Sequence, residues 1–229
     1  MAARVTLQMR LEGAGDIQLP IDDLVIAGLT GRDTEAIEAH IAELAEIGVE
    51  RPSSVPLFYR VSAELLNTST NIQMLGGESS GEVEFMMFGH ADGMLVGAGS
   101  DHTDREVEAY SIPVSKQACA KPVGTDLWRF NEVEDHFDDL ILRSWAVVGE
   151  ERRLYQEGAV SGIKPPRELI SLYTGGNETL PAGTAMYGGT FAAIGGVKPA
   201  DRFELELEDP VLKRSIKHAY DIDVIPVVT

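Results

Sequence analysis

The sequence predicts an α+β fold dominated by mixed or antiparallel sheet. Strand-like stretches with alternating apolar and polar residues recur along the chain, they outnumber the helical segments, and the tail returns to strand after the last helix. The elements follow in order. Val5 to Leu11 alternates apolar with polar residues, as a half-buried strand does. Leu24 to Leu29 is a short apolar run that fits a buried strand. Asp33-Thr34-Glu35 supplies an N-cap and an acidic first turn for a helix over 36–47, with Gly48 as its stop and Ile37, Ile41, Leu44 and Ile47 as its apolar stripe. From 52 to about 112 the chain reads as short strands between Gly and Ser turns: Val55 to Val61, Val83 to Phe88 and Met94 to Gly97. Residues 113–137 read as loop with short helical turns, and Leu140 to Val148 as a strand. Pro165 and Pro166 open a brief helix that runs to Leu172. In the tail, Phe203, Leu205 and Leu207 alternate with acids, and Ile216, His218, Tyr220, Ile222 and Val224 alternate with polar residues.

With 229 residues, 44% of them hydrophobic, the chain has ample material for a core. It shows no repeat and no linker long enough to separate domains, so a single domain over 1–229 is expected. Lys and Arg total 19 against 37 Asp and Glu, a formal charge of -18 that would repel nucleic acid and anionic membranes. A local group of cations or a metal can still reverse the sign inside a pocket. The single cysteine, Cys119, excludes an intrachain disulfide and reads as buried bulk. No apolar run approaches the roughly 20 residues of a membrane span. The opening Met1 to Val5 lacks the apolar segment of a secretory signal, so the expected address is the cytoplasm. There is no Gly-rich phosphate loop with Lys-Ser/Thr, no His-Glu-x-x-His, no Gly-x-Ser-x-Gly and no dinucleotide fingerprint. Nucleotide hydrolysis, zinc peptidase, α/β-hydrolase and Rossmann redox chemistry therefore lose support.

The most informative stretch is Gly81-Glu82-Val83-Glu84-Phe85. On a strand, residues two apart share a face, so Glu82 and Glu84 project together while Val83 and Phe85 face the other way. Two adjacent carboxylates repel, more so as water is removed, and a hard divalent cation relieves the repulsion. Asp101, in Ser100-Asp101-His102-Thr103-Asp104-Arg105-Glu106, lies a strand, a turn and a returning strand further on and offers a third carboxylate. A solvated strand face explains Glu-x-Glu equally well, and spacing alone leaves both readings open.

These residues resemble the fumarylacetoacetate hydrolase superfamily, in which a Glu-x-Glu and the Asp of an Asp-x-Thr/Ser-x-Arg-Asp/Glu segment hold a divalent ion. The likeness continues through Thr179-Leu180-Pro181-Ala182-Gly183, Gly188-Gly189-Thr190 and Gly195-Gly196, then Asp201-Arg202-Phe203-Glu204, with Glu168 to Leu172 at the family's Leu-Ile helix. Upstream, Ala27-Gly28-Leu29 and Pro56-Leu57-Phe58 match the family's Gly-Leu-Asn-Tyr and Pro-x-x-Phe elements. The chain departs at Thr30-Gly31, where the family has Asn-Tyr, at Gly188, where it has Thr, and at Phe191, where it has Pro.

The resemblance implies a mixed β-roll over 61–229 that carries the metal, preceded over 1–60 by strands and a lid-type helix. Glu82, Glu84 and Asp101 are the implied ligands of Mg2+ (or Mn2+ or Ca2+). The implied reaction is hydrolysis of a C–C bond in a small anionic 2-oxo or β-diketo acid, acylpyruvate-like, through a stabilised enolate. Decarboxylation, isomerisation and hydration on the same scaffold are alternatives, as is a binding protein that kept the fold without the chemistry. His40 lies one turn after Ile37 and one turn before Leu44, along the apolar stripe, with Glu43 beside it. The pair is expected to act as base and orienting partner, with His102 as the rival base or a substrate contact. Lys121, in preference to Lys116, is expected to neutralise a substrate carboxylate. Gly189 and Thr190 would bind that carboxylate, and Arg105 would bind substrate or brace the metal loop. A homodimer is implied, and Met86, Met87 and Phe88 are the apolar residues available for its interface.

Overall fold

The computed structural model describes residues 3–46 and 51–228, together with all their side chains except those of 36, 40 and 43–46. Alternation works as expected in β1 (Val5–Leu11), which buries Leu7, Met9 and Leu11 and leaves Thr6, Gln8 and Arg10 exposed. It forms a hairpin with β2 (Gly15–Ile21), in register from Val5 with Ile21 to Leu11 with Gly15. β3 (Asp23–Gly28) is the expected buried strand, α1 (Thr34–Glu46) the expected helix, and β4 (Leu57–Val61) returns antiparallel to β3. Then come β5 (Asn71–Leu75), β6 (Val83–Phe88) and β7 (Leu95–Ser100). Two short helices, α2 (Arg105–Glu108) and α3 (Ile112–Gln117), precede β8 (Asp126–Arg129) and α4 (Phe130–Val133). The long hairpin β9 (Ile141–Val148) and β10 (Glu151–Ala159) leads to α5 (Pro166–Thr174). β11 (Thr184–Tyr187), β12 (Arg202–Asp209) and β13 (Arg214–Ile225) close the chain.

Two large mixed sheets result among the described residues, beside two two-stranded ladders. The larger has eight strands in the order β2-β1-β8-β7-β6-β11-β3-β4, and the smaller five in the order β10-β9-β12-β13-β5. Strand pairs β1 with β8, β11 with β3 and β13 with β5 are parallel, the rest antiparallel. The central strands of the larger sheet are buried on both faces, and their side chains divide between two cores. Val83, Phe85 and Met87 join Val96, Ala98, Phe203, Leu205 and Tyr220 against the smaller sheet. Met86 and Phe88 join Leu24, Ile26, Leu95 and Tyr187 on the other face, among β1 and β2.

That double burial corrects one expectation. Met86, Met87 and Phe88 are not interface residues, because each is at most 1% exposed inside β6. An apolar run with no polar alternation marks a strand covered on both sides, not an exposed patch. Residues 113–137 do contain helical turns, but they also hold β8, which pairs parallel to β1 and antiparallel to β7. The edge strand β10 (Glu151–Ala159) escapes a sequence reading because its first four residues are exposed and mostly charged, a common way to protect a sheet edge.

Candidate metal centre

Strand pairing places the acidic residues. Glu84 lies opposite Gly99, and the Asp101 amide donates to the Glu82 carbonyl at 3.0 Å. Glu82 and Glu84 share the parity of Met86, and Asp101 that of Gly97 and Gly99, so all three point to the same side of the larger sheet. Each offers a carboxylate oxygen within 4.8 Å of the others. Gly99, opposite Glu84, has no room for a side chain, since a Cβ there would stand 2.5 Å from Met86 Sδ and 2.9 Å from the Pro122 carbonyl and the Tyr187 ring.

Three cations surround the cluster. Lys116, in the last turn of α3, donates to Asp101 Oδ2, and its Nζ lies 4.0 Å from Glu82 Oε2. Lys121 is fully buried behind Asp101, donating to the His102 carbonyl at 2.5 Å with Asp101 Oδ1 at 3.2 Å. Arg105 holds Glu82 Oε1 and Glu108 Oε2 at 2.8 Å each, and its Nε donates to Ser80 Oγ at 2.7 Å. Among the described residues, Glu84 forms no ion pair and accepts only the Gly189 amide, at 2.6 Å, with Lys116 acting on it from a distance.

The titration of each group follows from this arrangement. Burial pushes the Glu84 carboxyl well above its usual range, and the negative charges of Asp101 and Glu82 push it further. Burial also raises Glu82, with Lys116 and Arg105 opposing. Asp101 is different: burial would raise it, but the ammoniums of Lys116 and Lys121 hold it below the usual range. Lys116 stays above the usual lysine range despite burial, because Asp101 and Glu82 face it.

The cluster fits a divalent cation. In a regular octahedron of ligands at 2.0–2.1 Å, neighbouring donors stand about 2.9 Å apart and opposite ones about 4.2 Å, and the 2.3–2.6 Å bonds of a larger ion widen both. An oxygen set spanning 4.8 Å needs only a small contraction to close on such an ion. Glu82 Oε2, whose nearest ammonium is 4.0 Å away, and Glu84, whose described hydrogen bond is from the Gly189 amide, are oxygens of the required kind.

The other expected site residues divide. Lys121 and Arg105 are in the cluster, with Arg105 bracing Glu82. Gly189 is also there, but its amide is spent on Glu84. The Thr190 hydroxyl donates to the Val83 carbonyl at 2.7 Å and accepts from Gln156 at 2.8 Å. These two therefore hold the cluster's frame in the metal-free protein. For His102 the expectation is corrected. It follows Asp101, so its ring projects to the opposite side, edge-on to Phe203 and Tyr220 with centroids 5.4 Å away. Burial, then Lys121, lowers its pKa to about 3, and it faces neither the carboxylates nor solvent. His40 and Glu43 lie on α1, and their side chains fall outside the described residues. Cys119 is buried, and its thiol is raised to about 11 by that burial, as befits inert bulk.

Sequence reading missed the roles of Lys116 and Gln156. The signal for Lys116 was a short helix with Pro113 near its start and a lysine in its last turn, following the Asp101 segment. Gln156 owes its place to a bulge. The β9–β10 register shifts between Ser144 and Trp145, so Tyr155 and Gln156 are both buried where alternation allows only one. Nothing in the sequence marks that extra residue.

The tightest approach around the cluster is at Gly189, whose φ is +117° and whose Cβ would stand 1.9 Å from Thr30 Oγ1. Gly189→Ala is expected to lose about 2–3 kcal/mol of stability, read by urea denaturation. It should also move the amide off Glu84. An alanine variant as stable as the wild type would show that the β11–β12 connection relaxes freely.

Fold and cluster together define an α+β protein of the fumarylacetoacetate hydrolase fold, with an acidic triad able to hold a cation. The chain belongs to the family DUF2848, described as a protein of unknown function, which matches residues 27–220. Among solved structures it is similar to a candidate fumarylpyruvate hydrolase from Burkholderia cenocepacia, with 16% identity, a TM-score of 0.64 and coverage of 99% of this chain and 97% of the other. It is also similar to a 5-carboxymethyl-2-hydroxymuconate delta-isomerase from Mycobacterium smegmatis (16% identity, TM-score 0.60, 93% and 82% covered). A 2-keto-3-deoxyarabinonate dehydratase is a third (15% identity, TM-score 0.63, 90% and 74% covered). No curated protein matches the sequence. Among the described residues, no helix is long and apolar enough to cross a membrane.

Proposed function

We propose that the chain is a divalent-metal-dependent enzyme of small anionic oxo acids, and that it hydrolyses a C–C bond in an acylpyruvate-like substrate. The observation that carries this reading is the convergence of Glu82, Glu84 and Asp101 beside Lys116, Lys121 and Arg105. Carboxylates so crowded and so buried are costly unless a cation holds them together. Mg2+ or Mn2+ bound there would supply Lewis-acid stabilisation of negative charge on a substrate carbonyl oxygen.

The chain's own groups supply the rest. Arg105 fixes one oxygen of Glu82 and leaves the other for a cation. The Gly189 amide fixes one oxygen of Glu84 in the same way. Hydrolysis adds the OH of water to one carbonyl carbon, and the C–C bond breaks with its electron pair spread onto the neighbouring carbonyl. That carbon then takes up a proton. His40 and Glu43, on α1, are the proposed pair for removing the proton from water.

Isomerisation or dehydration of an oxo acid is the second reading. One observation favours it: His102 is turned away from the cluster, so no described histidine is placed to activate water there. One experiment tests both. Metal-stripped protein is melted with and without Mg2+ or Mn2+, then assayed on a panel of 2-oxo and β-diketo acids for loss of enol absorbance. Ion at a hundredfold excess over its dissociation constant should stabilise the fold by about 2.7 kcal/mol, and turnover should require it. Release of two acids identifies hydrolysis, and a single acid, rearranged or short of one water, identifies the second reading. Binding of metal with no turnover of any acid would end both.

A further inference from the structure

The Lys116 ammonium stands where the three carboxylates converge. It donates to Asp101 Oδ2, lies 4.0 Å from Glu82 Oε2 and 3.5 Å from Thr103 Oγ1, and sits 5.7 Å from the centre of the Tyr59 ring. A divalent ion gripping the same oxygens would be held close to a fixed positive charge, in a buried setting that screens little. Both cannot keep their best positions. Lys121 cannot give way, because it is fully buried and anchored to the His102 carbonyl. Lys116 can. It projects from a six-residue helix on a flexible stem, its side chain keeps 8% exposure, and the half-buried Tyr59 ring offers a resting face for an ammonium.

We propose that Lys116 is a tethered counter-cation, which neutralises the Glu82–Glu84–Asp101 cluster while no metal is bound and which an incoming divalent ion displaces. Lys116 thereby sets the affinity for the ion, as a built-in competitor. The inference rests on the metal reading above and adds to it the group that opposes metal entry.

The test is calorimetric titration of metal-stripped full-length protein with Mn2+ alone, for the wild type, Lys116→Met and Lys116→Arg. Methionine keeps the stem and removes the charge, and should tighten binding tenfold or more. Arginine keeps a charge and should bind within a few-fold of the wild type. Equal or weaker binding by Lys116→Met overturns the inference while the metal site stands. If neither wild type nor Lys116→Met binds the ion, the metal reading falls and takes the inference with it. Binding by Lys116→Met alone supports the competition in its strongest form. Should the methionine variant fail to fold, NMR on wild-type protein with 13C-labelled lysine decides. The Lys116 ε-methylene signal, assigned by its loss in the arginine variant, should shift as Mg2+ saturates, and an unmoved signal refutes displacement.

Discussion

Glu84→Gln is expected to abolish divalent-ion binding while leaving the metal-free chain at least as stable as the wild type near pH 8. The two halves of that result share one cause. Glu84 is 2% exposed and forms no ion pair among the described residues, so its charge is tolerated at a cost that a bound ion removes. Loss of a residue that merely supports a metal ligand costs about 10–100-fold in affinity, and loss of a ligand's own negative charge should cost at least about a hundredfold. Turnover should vanish with it. The sign of the pH dependence follows from the upward shift of Glu84. With the folded value raised above the unfolded one, its contribution to stability is present below the ordinary glutamate range. It is lost as pH rises through the raised value. Metal-free protein should therefore lose stability on going from acid toward pH 8, and the stabilisation conferred by Mg2+ should grow over the same interval. Melting curves at several pH values, with and without the ion, measure both, and Glu84→Gln should flatten both trends. A Gln variant that binds Mn2+ like the wild type would remove Glu84 from the site.

Asp101→Ala should be the most destabilising change in the cluster. Asp101 is the carboxylate that both Lys116 and the fully buried Lys121 face. Removing one partner of a buried ion pair costs about 3–5 kcal/mol, because the remaining charge has lost its compensation. Urea denaturation of metal-free protein reads the loss, and adding Lys121→Met to Asp101→Ala should restore some of it by removing the stranded charge. Were Asp101→Ala as stable as the wild type, the buried ammoniums would have to find other partners, and the proposed electrostatic structure of the site would be wrong.

Much of this architecture could be read from the sequence where one periodicity dominates. β1, β12 and β13 carry clear patterns, and Glu-x-Glu on a strand did place two carboxylates on one side. Asp101 could be joined to them because a returning strand preserves the same alternation. That rule, applied one residue further, also turns His102 away, so its misplacement was avoidable. Other features depend on contacts between distant segments. Nothing local in Met86-Met87-Phe88 says which sheets cover it. Lys116 and Lys121 both follow Asp101 within one short stretch of chain, and only the path of α3 puts one ammonium in front of the carboxylate and the other behind.

Gln156, set inward by the β10 bulge, has a consequence for how far the two sheets can slide. Its Oε1 accepts from the Val83 amide and the Ser144 hydroxyl, and its Nε2 donates to Thr190 and to the Phe191 carbonyl. Two lone pairs and two N–H bonds are thus all occupied, the full capacity of the group. Glutamate has no donors to offer, and methionine lacks the rest, so neither can reproduce this fourfold junction. A single amide pins β6, β9 and the segment after β11 at one height, like a dowel through three boards. The carboxylates of Glu82 and Glu84, flanking Val83, inherit their spacing from that fixed point.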